Sequence, residues 1–558
     1  MVEKNNSKKK TELTQEHKVL FKNTFYSYLY SYGSYVFSLI NSFIIARLIT
    51  IDLWGYLILA ISITGIISIF LTFLPPGLES SLNYYLAVYK AQQQKKKMKS
   101  LIKYAIYQRF IFVILVLIIS LVIFYGFSAM FISLNNYVYL LFILSPLILN
   151  GGFGPVLTGI NRGFDMFKTM FYLLVIQYTI NIGLLIIVGF FLKPNTIDQI
   201  AYIHLFSIMI PLIVNAVLIL IKYINLEEGK DIQGLTFKQC VKMNLGYGTY
   251  FTLGSSFVNI WERLKTMLVG NFENSIWVTG YDLSNNYSIV PLKAISALKD
   301  PLVVSFSRLY SDGKDNQVKK IFNSALYYTS FFFMLGIGIF YFLSDFFLIF
   351  VYQPNYLMFS LLIKILLLST IFKLLGPQIN SLIYATKKVK FEPIYRISTI
   401  LIEAIPFIIG LLVYGIIGAI IFIVISSIVN FIIRLILCEK MFKIPLNLKK
   451  VLILFICFFS SLGIVILLKM LFLDFLNYQL LKMFNLLFFE ELEIIPIVFF
   501  IMIFILSMIV MKVFSYEDIL ILENLFEKNK RAYKFLKKFK FLLLIFNKQK
   551  KKDDNESK

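Results

Sequence analysis

Long apolar runs alternate with short polar gaps from about residue 24 to residue 514. Each run approaches or exceeds the roughly 20 residues a helix needs to cross about 30 Å of hydrocarbon. The pattern predicts about fourteen helices, at 24–46, 54–74, 106–127, 137–157, 169–192, 200–221, 246–269, 279–303, 325–350, 357–384, 394–413, 416–437, 450–472 and 495–514. The predicted fold class is therefore an all-α polytopic membrane protein. Composition closes the soluble alternative: 58% of the 558 residues are hydrophobic and 17% aromatic. A soluble domain of this size could not hide that much apolar surface, so the bilayer has to be the solvent.

Charge then orients the helices. The net charge of +24 is not gathered on one soluble face, as a nucleic-acid binder would have it. Most of the Lys and Arg lie in every second gap, at 90–103, 160–168, 222–242, 311–320, 386–390 and 439–443, and in the two tails. The intervening gaps hold little beyond Arg47, Lys193, Lys469 and Lys482. By the positive-inside rule both termini are cytoplasmic, in a multi-pass protein of the plasma membrane. The polar N-terminus shows no signal-peptide h-region. The stretch 524–552 is basic and amphipathic, suited either to lying on anionic lipid or to a solvated tail.

The halves echo each other. Residues 46–60 resemble 268–284, with Gly55 and Gly280 in matching places 225 residues apart, and 159–167 resembles 384–392 at nearly the same offset. Duplication of a six-helix unit is expected, with two helices added at the C-terminus. Repeats of that kind mark transporters whose substrate site lies between the halves. The expected divisions are an N-terminal tail (1–23), an N-lobe of spans 1–6 (24–222), a C-lobe of spans 7–12 (223–440), spans 13–14 (441–514) and a basic tail (515–558).

Several chemistries are not expected. There is no G-x-x-x-x-G-K-[ST] phosphate loop, no polar gap long enough for a catalytic domain, and no carboxylate pair at an outer face. Cys240, Cys438 and Cys457 stand in no metal or redox spacing, and His17 and His204 cannot build a site between them, so all five read as packing or loop residues. No enzyme activity, cofactor or metal is expected.

Charges inside spans remain, each costing a few kcal/mol unless it meets a cavity or a partner. In the seventh span Asn259, Arg263 and Thr266 share a face, and Glu262 can pair with Lys265 three residues on. The helix either faces a cavity or neutralises itself. In the eighth, Asp282, Asn286, Lys293 and Asp300 stay within about 40° of one line. Lys293 sits mid-span beside Pro291, facing water or an anion, or paired with Asp282 or Asp300; Lys299 points elsewhere. The tenth span aligns Thr370, Lys373 and Asn380 near a Gly376-Pro377 break, with Lys364 nearer the outer end, where it can snorkel. In the eleventh, Arg396, Thr399 and Glu403 align. Glu403 is either a proton or Na⁺ coupling site or the partner of Arg396. The expected substrate-binding set is Asn259, Arg263, Lys293 and Lys373, and the expected ion-coupling set is Glu403, Asp282 and Glu262. The excess of Arg263, Lys293 and Lys373 suggests a cationic cavity that attracts anions. Tyr26, Tyr28, Tyr30, Tyr32 and Tyr35 either stack on sugar rings or form an interfacial belt.

FIIARLITIDLWGYLILA (43–60), GLESSLNYYLA (77–87), WERLKTMLVGNFENSIWVTGYDLSNNYSIVPL (261–292), LVVSFSRLYSDG (302–313), the stretch 353–393 and YGIIGAIIF (414–422) form a set. Over roughly residues 20–440 this set resembles the oligosaccharide-repeat flippases (Wzx-type) of the multidrug/oligosaccharidyl-lipid/polysaccharide exporter superfamily. The resemblance implies two six-helix lobes that open alternately to each side of the membrane. It also implies a polyprenyl-diphosphate-linked glycan as substrate, with C-lobe cations, here Arg263, Lys293 and Lys373, meeting the diphosphate or acidic sugars. Glu262 stands where relatives often have Asp. The expected partners are the lipid-linked glycan, membrane lipids, a driving H⁺ or Na⁺, and a glycan polymerase or glycosyltransferase, with no nucleic acid. Two alternatives stand beside the flippase: a cation-coupled multidrug exporter of the same superfamily, and a membrane scaffold for a glycan-assembly complex.

Overall fold

The computed structural model describes residues 2–511 apart from 127–131, 192–195, 227–233, 297–298, 312, 387–388, 445–447 and 484–491. The expected basic amphipathic tail lies outside the described residues, as do the side chains of Lys299 and Asp300. The described elements are helical, and no strand occurs among them. The helices are α1 (Val2–Leu48), α2 (Ile51–Phe70), α3 (Leu78–Ala91), α4 (Lys95–Gly126), α5 (Tyr139–Gly163), α6 (Phe167–Phe191), α7 (Ile197–Ile224) and α8 (Phe237–Met243). They continue as α9 (Thr249–Phe272), α10 (Ser275–Ser296), α11 (Lys299–Ser311), α12 (Asp315–Phe346), α13 (Ser360–Ile371), α14 (Leu375–Ala385), α15 (Glu392–Phe442), α16 (Leu448–Leu468), α17 (Asp474–Met483) and α18 (Ile494–Val510).

Among the described residues ten helical segments are long and apolar enough to cross a membrane, and α18 is a shorter apolar helix. Gly415, at φ 67, breaks α15 into two segments. With that break, with α18, and with the long but polar α9 and α10, the described residues supply fourteen segments. They correspond one for one to the fourteen predicted. The chain is an all-α polytopic membrane protein.

Helices often begin before their apolar window. α4 starts at Lys95 and α12 at Asp315, each about ten residues before the predicted start. Polar turns at the interface extend a helix without lengthening its apolar part. The helix starts Ile51 and Ser275, Lys95 and Asp315, and Phe167 and Glu392 lie 224, 220 and 225 residues apart. The offset noted at two motifs thus recurs in the element boundaries.

By proximity the residues fall into two units, 1–293 with 383–430, and 294–382 with 431–558. In the first, α2 packs on α5 and α9, α3 on α5, α1 on α6, and α6 and α5 on α7. A break at Leu74-Pro75-Pro76-Gly77 ends α2 and leaves carbonyls without helical partners. Arg109 of α4, 2% exposed, donates through Nη1 to the carbonyls of Leu71 and of Leu74, the latter at 3.1 Å. Gly77 then takes φ 78, and a Cβ on Gly248 would lie 2.2 Å from its carbonyl oxygen, so the two backbones touch. In the second unit α12 packs on α13, α16 and α18. There Asp345 of α12 pairs with Lys364 of α13 at 2.7 Å, so Lys364 holds a carboxylate rather than snorkelling. Lys469 pairs with Glu493.

Candidate functional site

Helices α1, α2, α5, α6, α7, α9 and α10 of the first unit enclose a cavity of about 860 Å³. Polar residues face it from most of these helices, and their spacing on each helix is what brings them together. On α9, Asn259, Glu262, Arg263 and Thr266 recur at three- and four-residue intervals, so one face carries them all. On α10, Asp282, Asn285 and Asn286 do the same, and Lys293 follows two turns further on. Five of the seven residues predicted for the site therefore share one chamber.

Six asparagines line it: Asn41, Asn150, Asn181, Asn259, Asn285 and Asn286. Asn181 donates to Ser207 at 2.8 Å, while its carbonyl oxygen and that of Asn41 are buried without a partner. A buried acceptor left open costs about 1–3 kcal/mol unless something donates to it. Trp54 and Tyr35 add aromatic surface.

The cations are held in different ways. The Arg263 side chain lies on the bare backbone of α2, where a Cβ on Gly65 would come within 3.3 Å of its Nε. Lys293 Nζ sits 4.8 Å from the centre of the Tyr35 ring, and its carbonyl accepts from the Tyr32 hydroxyl at 2.9 Å. Among the described residues no carboxylate lies within ion-pair distance of Arg263 or Lys293. Asp282 accepts from Asn286 at 2.9 Å. Of the five tyrosines noted in the first span, Tyr35 alone lines the chamber. Tyr28 and Tyr32 stack on each other at 4.2 Å, and Tyr28 is exposed, as a belt residue would be.

Behind the α9 wall lies a network that the sequence only half disclosed. Lys265, 2% exposed, donates to Glu262 at 2.9 Å and to Glu403 of α15 at 2.6 Å. Trp261 Nε1 also donates to Glu403, at 3.1 Å. The Glu262–Lys265 pair is the one expected from spacing. Glu403 is not the partner of Arg396, however. Arg396 lies 3.6 Å from Glu392, one turn back on its own helix, and Lys265 occupies Glu403 from another helix. Glu403 thus sits on this network and not among the chamber-lining residues. Lys373 belongs to the second unit, in the turn between α13 and α14, where its N–H donates to Thr370 at 2.9 Å.

Charge in and behind the chamber is balanced, which corrects the expectation of a cationic cavity. Arg263, Lys293 and Lys265 face Asp282, Glu262 and Glu403, three against three. Lys373, which the sequence count added to these cations, belongs to the second unit. Sequence reasoning also treated His204 as packing, yet it lines the chamber, as do Asn41, Asn150 and Asn181. Single polar residues on otherwise apolar helices were the only signal for these.

Comparison with known proteins agrees with this architecture. A family model described as "Polysaccharide biosynthesis protein" matches residues 20–299. A search of curated proteins finds no match. Among solved structures, the chain is similar to an inward-facing multidrug resistance MATE family transporter of the MOP superfamily. That match has a TM-score of 0.61 at 14% identity, over 74% of this chain and 94% of that one. A MATE transporter in the straight conformation gives a TM-score of 0.55 at 15% identity, over 76% and 96%. A mutant of a Vibrio cholerae MATE transporter gives 0.52 at 15% identity, over 78% and 98%. At these identities the likeness is one of fold.

Proposed function

This chain belongs to the polysaccharide biosynthesis protein family, and from that premise we propose that it carries a polyprenyl-diphosphate-linked oligosaccharide from the inner to the outer leaflet by alternating access. The observation that supports this most is the chamber's lining. Six amides, with buried acceptors open at Asn41 and Asn181, suit sugar hydroxyls, and Tyr35 and Trp54 offer flat faces to sugar rings. Arg263 and Lys293, with no carboxylate within ion-pair distance among the described residues, suit the diphosphate. On this reading the protein works in the plasma membrane with both termini cytoplasmic, beside a polymerase or glycosyltransferase that uses the exported glycan.

The balance of charge suggests how an ion gradient drives the cycle. A proton on Glu403, Glu262 or Asp282 leaves one positive charge in excess around the chamber, and charge in a low-dielectric space acts strongly on an anion. An inward H⁺ gradient drives outward movement by exchange, so the ion is carried on the return half of the cycle, after the glycan has left. The recharged carboxylates restore the balance before the next outward step. Na⁺ would act in the same sense.

One observation favours a second reading, a cation-coupled multidrug exporter. Asp282 faces the chamber with no cation within ion-pair distance among the described residues, and an organic cation could sit on it. A deletion strain separates the two. The flippase reading expects lipid-linked glycan to accumulate on the inner leaflet, with relief by the wild-type chain and not by Arg263→Ala/Lys293→Ala. The exporter reading expects no accumulation and a gain in sensitivity to cationic drugs.

A further inference from the structure

Helix α4 opens with Lys95-Lys96-Lys97 and has no acid in its first turn. Cations at a helix N-terminus oppose the macrodipole, so the sequence breaks a local rule there. Lys95, Lys96, Lys99 and Lys103 surround a cavity of about 340 Å³ with Tyr104 and Tyr223. Its far wall, Gly234–Leu235, is fixed to α4 because the Leu235 N–H donates to Ser100 Oγ at 2.9 Å. Nearby cations are matched: Lys90 pairs with Asp165 at 2.6 Å and Arg162 with Glu79 at 3.0 Å. The four lysines have no carboxylate within ion-pair distance among the described residues. Lys99 instead lies 5.5 Å from the Tyr223 ring and Lys103 5.9 Å from the Tyr104 ring.

A second cavity continues from the first. Lys103 and Tyr223 line both, and beyond them the walls are apolar: Ile106, Phe110, Phe153, Leu212, Val217 and Leu220, enclosing about 680 Å³. Tyr223 and Leu212 are eleven residues apart on α7, which sets the groove's length at roughly 16 Å. That is about half the 30 Å hydrocarbon thickness, the depth of one leaflet. A cationic pocket at the interface thus opens into a groove the length of one acyl chain.

We propose that this pair of cavities is a binding site for an anionic phospholipid of the leaflet at the lysine end, its phosphate among Lys95, Lys96, Lys99 and Lys103 and one acyl chain along α4, α5 and α7. By the positive-inside rule that leaflet is the cytoplasmic one. The site lies apart from the amide-lined chamber, with no lining residue in common. The sequence also places Glu227, Glu228 and Asp231 shortly before Gly234, so the chain's own acids are the rival for the lysines.

Native mass spectrometry of the full chain, titrated with phosphatidylglycerol or with phosphatidylcholine of the same acyl chains, tests the site. The wild type is expected to retain the anionic lipid in preference. Each lysine removed in Lys96→Ala/Lys99→Ala/Lys103→Ala should weaken that retention about fivefold. Ala216→Trp, which fills the groove, should lower retention of both lipids while the lysines still stand. Thermal unfolding of each variant in lipid-free detergent, where wild-type and variant curves should coincide, separates loss of the site from loss of fold. Equal retention of the two lipids by the wild type, or unchanged preference in the triple variant, would overturn the proposal. So would preference that emerges only after Glu227→Gln/Glu228→Gln/Asp231→Asn, or displacement of phosphatidylglycerol by an equimolar polyprenyl diphosphate.

Discussion

Lys265 is held by two carboxylates from two helices. Its ammonium is buried between Glu262 and Glu403, which are 39% and 13% exposed. Removing one partner of a buried charge network costs about 3–5 kcal/mol, because the other is left uncompensated. Lys265→Met should therefore lower the unfolding midpoint sharply in detergent, and adding Glu403→Gln should restore part of the loss. If the two substitutions are additive, the network is not coupled. Lys293 predicts the opposite profile. With a tyrosine ring beside it and no carboxylate within ion-pair distance among the described residues, Lys293→Ala should leave insertion and melting nearly unchanged while glycan export falls. Normal export by that variant would remove Lys293 from the site. The sequence made part of this legible: spacing on one helix showed the Glu262–Lys265 pair and the shared face of Asn259 and Arg263. It could not show that Lys265 reaches Glu403, 138 residues away, because a contact between helices leaves no local period. For the same reason it offered, beside a coupling role for Glu403, only Arg396 as an ion-pair partner. The nearer cation on the same helix was the only partner in view.

Among the elements, the breaks decide where side chains point. Gly415 at φ 67 ends one half of α15, and the next half starts at Ile416, whose N–H donates to Glu273 Oε1 at 2.8 Å. A Cβ on Gly415 would lie 2.7 Å from that same oxygen. Gly415→Ala should destabilise on two grounds, a positive φ and the displaced cap, by about 1–3 kcal/mol. Glu273→Ala should lose only the cap, about 1 kcal/mol. Equal melting losses in the two would contradict this division. Gly248→Ala should force α9 away from Gly77, an overpacking that costs about 1–3 kcal/mol. Element positions were largely readable from the apolar runs, and Gly415 fell in the predicted gap between 413 and 416. Helix α3 was not readable, because LESSLNYYLAVYKA holds no apolar window long enough to signal a span.

For the whole molecule, the alternation of basic gaps predicts topology and the family predicts direction of transport. Cys240, Cys438 and Cys457 are buried, so the native chain gives a low labelling background. Burial pushes the Cys240 thiol up to about 11, which keeps it protonated and slow to alkylate at neutral pH. Single cysteines placed at 94, 314 and 440 should react with a membrane-impermeant maleimide only after the cytoplasmic side is opened. One at 194 should react in intact cells. Reversed labelling would invert the topology and the assigned direction of transport. The measurement closest to the central claim is transbilayer movement of a purified polyprenyl-diphosphate-linked oligosaccharide in proteoliposomes holding this chain and a proton gradient. The account predicts gradient-dependent movement by the wild-type chain and about a tenfold or greater loss in Arg263→Ala/Lys293→Ala, since each lost charge-assisted bond weakens the hold on the diphosphate. Equal rates in the two proteins, or no glycan movement beside rapid movement of an organic cation, would contradict it.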